Sequence, residues 1–220
     1  MAGEGEAAGA ILDPGSTAPT SMRAHAAASR AALIALLRFA YSGELAAAHA
    51  YRGHARSLSD PGERARIEEI EREELHHREL VGAMLAELGE RPSRLRELRA
   101  TLVGRTLGAL CHVSGWLAPM YGAGRLESRN IREYEAAARL ARAAGRVQWA
   151  DRLLTMAEVE WEHEHYFRGR VLSHRLGRRL PLWRASPGKE SIRAGDARDD
   201  PLGPRLSRQS EFPPVRSSAR

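Results

Sequence analysis

The 220-residue chain is short of several residue types, and each shortage excludes something. A single cysteine, Cys111, leaves no intramolecular disulfide and no zinc site built on several thiolates, and it suits a reducing, cytoplasmic setting. Aromatics make up 5% of the residues, and no stretch alternates apolar and polar side chains over a useful strand length, so the folded part is predicted to be all-α. No uninterrupted apolar run of 18 residues occurs, which argues against a conventional membrane span. Lysine occurs once, at Lys189, against 33 arginines. The net charge of +6 is unevenly placed: residues 175–220 hold 11 basic and 5 acidic side chains, while residues 1–174 hold 23 of each. The surplus belongs to the C-terminal segment, and no nucleic-acid motif accompanies it, so nucleic acid is not an expected partner.

What is present is apolar enough, at 43%, for one core. Residues 1–27, rich in Ala, Gly, Ser, Thr and Pro, read as a flexible leader. Residues 28–175 read as a helical domain, and residues 176–220 as a basic Pro/Arg-rich disordered tail. Within the domain, helices are predicted over 28–57, from a cap at Asp60-Pro61 to about Leu88, over 119–144 and over 148–174, with Gly89, Pro92 and Gly145 as breaks. Glu63 should close a capping box with Asp60. Residues 94–117 have helical composition, and Thr106 to Gly124 carry no charge, which suits a buried connector or an interfacial helix.

Helical periodicity isolates an unusual set of residues. Ile67, Ile70, Glu74, His77, Val81 and Met84 share one stripe, which places a Glu-x-x-His in the middle of a face that should be buried. The neighbouring register, with Glu73 and His76, reads as solvent-facing. The last helix repeats the pattern with Leu153, Met156, Glu160, His163 and Phe167, and there Glu162 and His165 fall out of phase. Each of the other two long helices sets one glutamate on an apolar face with a tyrosine two turns later: Glu44 with Tyr51, and Glu127 with Tyr134. The chain is thus built twice. Four buried carboxylates are prohibitive without compensation, and two divalent cations supply it. One Glu from each of two helices plus Glu-x-x-His from the other two is the ligand set of ferritin-like dinuclear carboxylate bundles. Metal ligation is therefore expected of Glu44, Glu74, His77, Glu127, Glu160 and His163, from two iron ions cycling between Fe2+ and Fe3+, or from manganese. Tyr51 and Tyr134 are candidates for a supporting role beside the metals. The remaining histidines, His25, His49, His54, His112 and His174, show no pairing, and Cys111 reads as a small buried residue.

At these residues the chain resembles the demethoxyubiquinone hydroxylase family of ferritin-like di-iron monooxygenases, over roughly residues 33–174. The resemblance rests on Gly43-Glu44 with Tyr51, Glu127-Ser128 with Tyr134, and Glu160-Trp161-Glu162-His163. Glu133 stands where many members carry histidine, and Ser42 where alanine is common. The resemblance implies a ferritin-like four-helix bundle with an additional crossover or interfacial helix between two helix-pair halves. It implies metal-ligand roles for the six residues above, a place beside the iron site for Tyr134, and O2-dependent hydroxylation of a lipophilic quinone ring in ubiquinone biosynthesis. It also implies peripheral contact with the inner face of the cell membrane through residues 106–124. No nicotinamide-binding motif is evident, so the external electron donor stays unassigned, and a homo-oligomer is compatible with the pattern. Two other readings share the ligand set: a rubrerythrin-like peroxide or oxygen scavenger, and a non-catalytic ferritin-like iron-binding protein with a basic tail.

Overall fold

A computed structural model describes residues 20–199. Its order is α1 (Thr20–Ser57), α2 (Pro61–Glu87), α3 (Arg94–Leu110), α4 (Leu117–Ala143), α5 (Val147–Ser173), a 3-10 turn at Gly177–Arg179, and α6 (Glu190–Asp199). Among the described residues there are no strands, as the composition predicts. α1 pairs with α2 and α4 with α5, α1 also packs on α4, and α3 lies along the outside of α1. Two helix-pair halves joined through an added helix are the expected helical bundle.

The starts and stops follow local chemistry. Asp60 caps α2, its carboxylate accepting from the Glu63 backbone N–H at 2.8 Å, and Pro61 occupies the first turn. Glu63 does not return the bond. Its carboxylate accepts instead from Trp116 Nε1 at 2.7 Å and from Arg170. The breaks fall at Gly89 and Gly145, both at positive φ, with a further one at Gly115 between α3 and α4.

Several expectations need correction. α1 begins at Thr20 rather than 28, so residues 20–27 of the expected leader are helical, and residues 1–19 lie outside the described part. The helix expected to reach 117 ends at Leu110. α1 is long and apolar enough to cross a membrane by length and composition, because its many alanines raise hydropathy without forming an unbroken apolar run. Here it packs against three helices instead. The segment after 176 returns to the bundle: Ile192 is buried in the core, Trp183 packs beside Phe167 and donates to Glu164 at 2.6 Å, and Trp161 donates to the Pro187 carbonyl at 2.8 Å. Three apolar side chains, Leu182, Trp183 and Ile192, suffice because they dock on a core that already exists. Residues 200–220 lie outside the described part.

The core is split into two apolar layers. One contains Leu33, Leu37, Val81, Met84, Ile131, Leu153 and Met156, and the other contains Ala47, Ile67, Ile70, Met120 and Phe167. Along every long helix the acidic residue of the stripe falls between these two sets, so the bundle encloses a polar layer between two greasy ones.

Candidate metal centre

All six residues singled out by periodicity meet in that polar layer. Glu44, Glu74, His77, Glu127, Glu160 and His163 are each at most 3% exposed, which no helix of this composition tolerates unless the charges are compensated. Their ligand atoms form two groups, Glu44, Glu74, His77 and Glu160 in one, and Glu74, Glu127, Glu160 and His163 in the other, with the atoms of each group within 4.8 Å of one another. Glu74 and Glu160 belong to both. The two-fold pattern of the sequence therefore becomes two adjoining sites with two shared carboxylates, one from each Glu-x-x-His.

The hydrogen bonding leaves room for cations. Glu44 Oε2, both oxygens of Glu74, and His163 Nδ1 are buried with no hydrogen-bond partner. Buried polar atoms are nearly always satisfied, so a cluster of orphaned acceptors fits a pair of divalent ions. His163 donates through Nε2 to Glu73 at 2.7 Å, which leaves Nδ1 facing Glu74 at 3.4 Å and Glu160 at 3.7 Å. His77 Nδ1 lies 3.0 Å from Glu160 Oε1.

Electrostatics of the metal-free chain express the same frustration. Burial, then the surrounding carboxylates, push Glu74 and Glu127 well above the usual carboxylate range, and burial raises Glu44. Glu160 goes the other way: burial opposes its charge, but the adjacent imidazoles of His163 and His77 outweigh it and hold the carboxyl well below that range. Burial likewise works against a charged His163, yet Glu160 and Glu73 raise it to about 9. Protons thus supply part of the compensation that four buried carboxylates need.

The two tyrosines lie on opposite sides of the polar layer and reach across the bundle. Tyr51 of α1 donates to Glu127 of α4, and Tyr134 of α4 donates to Glu44 of α1. Burial, then the charge of the accepting carboxylate, pushes both phenols well above their ordinary value, so they remain protonated donors. Periodicity placed these tyrosines on the right faces, but it could not show that each serves the glutamate of the other half.

Two participants were not legible. Glu73 was read as solvent-facing; it is half-buried and holds His163. Asn130, one turn after Glu127, donates to Glu127 at 2.9 Å and lies 3.4 Å from Glu160. The out-of-phase pair of α5 does stay outside: Glu162 pairs with Lys189 and His165 stacks on Trp161. Of the histidines read as unpaired, His54 is buried and stacked on Phe167, and burial lowers it to about 4. Cys111 is only half-buried, not enclosed.

Two cavities approach the layer. A small one of about 80 Å3 between α1 and α4 is walled by Glu44, Asn130, Glu133 and Tyr134. A larger one of about 430 Å3 is almost wholly apolar, runs between α1, α3 and α4, and touches Tyr51, His54, Leu107 and Leu110. They share Ala47 and Leu126 as walls. The outer side of α3 beside the larger cavity exposes Leu95, Leu98, Leu102, Val103, Leu107 and Leu110. The exposed apolar face thus starts at Leu95 and ends near Val113, while Met120 and Gly124, within the charge-free stretch 106–124, are inside the bundle.

No curated protein and no solved structure matches the chain. A family model does match, over residues 31–131. That stretch carries Glu44, Glu74, His77 and Glu127, while Glu160, His163 and Tyr134 lie beyond it and are tied to the site by the geometry above. Over residues 31–131 the chain is similar to the family described as ubiquinone biosynthesis protein COQ7.

Proposed function

We infer that the chain has a role in ubiquinone biosynthesis, a reading supported by the similarity of residues 31–131 to that family. We propose that the chain is an O2-dependent hydroxylase that acts on the ring of a lipophilic, demethoxyubiquinone-like quinone with two iron ions. The observation that carries this reading is the pairing of a buried Glu4His2 layer, with orphaned ligand atoms, to an apolar cavity of about 430 Å3 that opens beside an exposed apolar helix. A peroxide scavenger needs no such cavity, because its substrate is small and polar. Iron bound by histidine and carboxylate would supply the activation of O2.

The chain's own residues do the rest. Glu44, Glu74 and His77 would hold one ion and Glu127, Glu160 and His163 the other, with Glu74 and Glu160 placed to serve both. Tyr51, Tyr134 and Asn130 fix the orientation of Glu127 and Glu44 by hydrogen bonds, and Glu73 fixes the tautomer of His163. The apolar lining accepts a lipophilic ring and excludes water from the layer. The exposed leucines of α3 would rest on a membrane surface and deliver such a substrate to the cavity.

Anaerobic loading with Fe(II) should give about two irons per chain, and addition of O2, a reductant and a demethoxylated quinone should give hydroxylated product. Glu160→Ala should lose both metal and product. Ala50→Trp, which fills the cavity, should keep the metal and lose the product. An Ala50→Trp protein with full turnover, or a wild type that takes up no metal, would refute the reading.

A further inference from the structure

The flank of α3 opposite the apolar cavity carries a different kind of groove. Between α1 and α3, beside the contact of Gly53 with Gly108, lies a cavity of about 430 Å3 lined by His49, Arg52, Arg56, Arg105 and His112. No carboxylate lines it. Arg52 is paired with the half-buried Glu71 at 2.7 Å, but among the described residues Arg56 and Arg105 have no ion pair or hydrogen bond. The lining by Arg52, Arg56 and Arg105 makes the groove a region of positive potential, and burial, then the charges of Arg105 and Arg52, lower His49. Arg56 and Arg105, without ion-pair partners, repel one another across this concavity, and a bound anion relieves that repulsion.

Helical geometry ties the groove to the apolar face. Arg105 and Ala109 of α3 and His112 in the turn after it line the groove, while Leu98 and Leu102 of the same helix are at least 67% exposed. A membrane touching those leucines would place its headgroup layer at the level of the arginines, which can extend their guanidinium groups along the interface. Arginine is also the side chain best shaped to grip a phosphate through two parallel hydrogen bonds.

We propose that this groove binds the phosphate of an anionic phospholipid, held by Arg52, Arg56 and Arg105, and so fixes the orientation of the chain on the bilayer. The proposal rests on the membrane-facing reading of α3. It gives the two flanks of one helix separate tasks: an apolar cavity for the lipophilic substrate on one side and a headgroup site on the other.

The test is co-sedimentation of the full chain with vesicles of phosphatidylcholine alone and of phosphatidylcholine mixed with phosphatidylglycerol. The wild type should prefer the mixed vesicles. Arg56→Ala combined with Arg105→Ala should weaken binding to them by about 30-fold, the effect of two basic residues at an anionic surface, and leave binding to neutral vesicles unchanged. Arg139→Ala with Arg152→Ala makes the same change in net charge on exposed positions of α4 and α5 and should have far less effect. Equal losses from the two pairs would overturn the site in favour of general attraction. Stoichiometric binding of soluble glycerol phosphate, without preference for mixed vesicles, would assign the groove to a free phosphate and overturn the lipid. Leu98→Asp with Leu102→Asp separates the two readings. If this pair abolishes vesicle binding while the arginine pair leaves it intact, the membrane contact stands and the phosphate site falls. If the wild type binds no vesicle at all, the membrane contact falls as well.

Discussion

Glu73 is one residue away from Glu74 and does a different job. Its side chain leaves α2 about 100° away from the buried stripe, yet it reaches round far enough to accept from His163 of α5 at 2.7 Å. That hydrogen bond, then the burial that opposes it, sets the Glu73 carboxyl below its ordinary value, and it leaves Nδ1 of His163 facing the polar layer. Partners of this kind typically account for ten- to a hundredfold in metal affinity. Glu73→Ala should therefore weaken metal binding by about ten- to a hundredfold in a chelator competition, with Glu73→Gln recovering part of it. An unchanged affinity in both variants would make Glu73 a bystander. The same comparison shows where reading the sequence stops. Glu74, His77, Glu160 and His163 were legible because burial of a charge on a helical stripe is a property of one helix. Glu73 and Asn130 acquire their roles from neighbours on other helices, and no periodicity within α2 or α4 encodes that.

α3 shows the same limit at the scale of an element. Its start was legible from Pro92 but its end was not, and two glycines inside a helix ordinarily weaken it. In the fold they are the contact surface. A Cβ on Gly53 would collide with the Gly108 backbone, and one on Gly104 with the carbonyl of Ala46, so α1 and α3 approach closely at these glycines. That closeness sets the depth of the cavities on either flank of α3. Gly53→Ala should force the helices apart at a cost of about 1–3 kcal/mol, read as a fall of several degrees in Tm. Metal content should survive, because α3 supplies no ligand to the layer, while turnover of a lipophilic substrate should fall with the altered cavity. Loss of metal in a folded Gly53→Ala protein would show that α3 is coupled to the centre in a way this packing does not provide. The C-terminal element was misread for a related reason. Its composition is too polar to build a core, but Trp183 and Ile192 need only dock on one.

At the scale of the molecule, two halves each bring a Glu…Tyr helix and a Glu-x-x-His helix, and folding forces their charges into one dry layer. This couples stability to pH in opposite senses with and without metal. In the metal-free chain His163 sits at about 9, above its ordinary 6.5. A raised group stabilises the fold fully below its unfolded value, and that contribution is lost as pH climbs through the folded one. Glu74 and Glu127, also raised, favour their neutral forms in the folded chain, so ionising them works in the same direction. Glu160, held low, contributes fully above its ordinary 4.5 and is flat across the neutral range. Metal-free protein should therefore lose stability steadily from about pH 6.5 towards pH 9. Cations reverse the trend, since they replace those protons and bind more tightly as the ligands deprotonate. The Tm of chelator-treated protein should fall between about pH 6 and pH 8.5, and the gain in Tm on adding manganese(II) should widen over the same interval. Parallel pH profiles with and without metal would mean that the layer does not exchange protons for cations, and the four buried glutamates would then need another source of compensation.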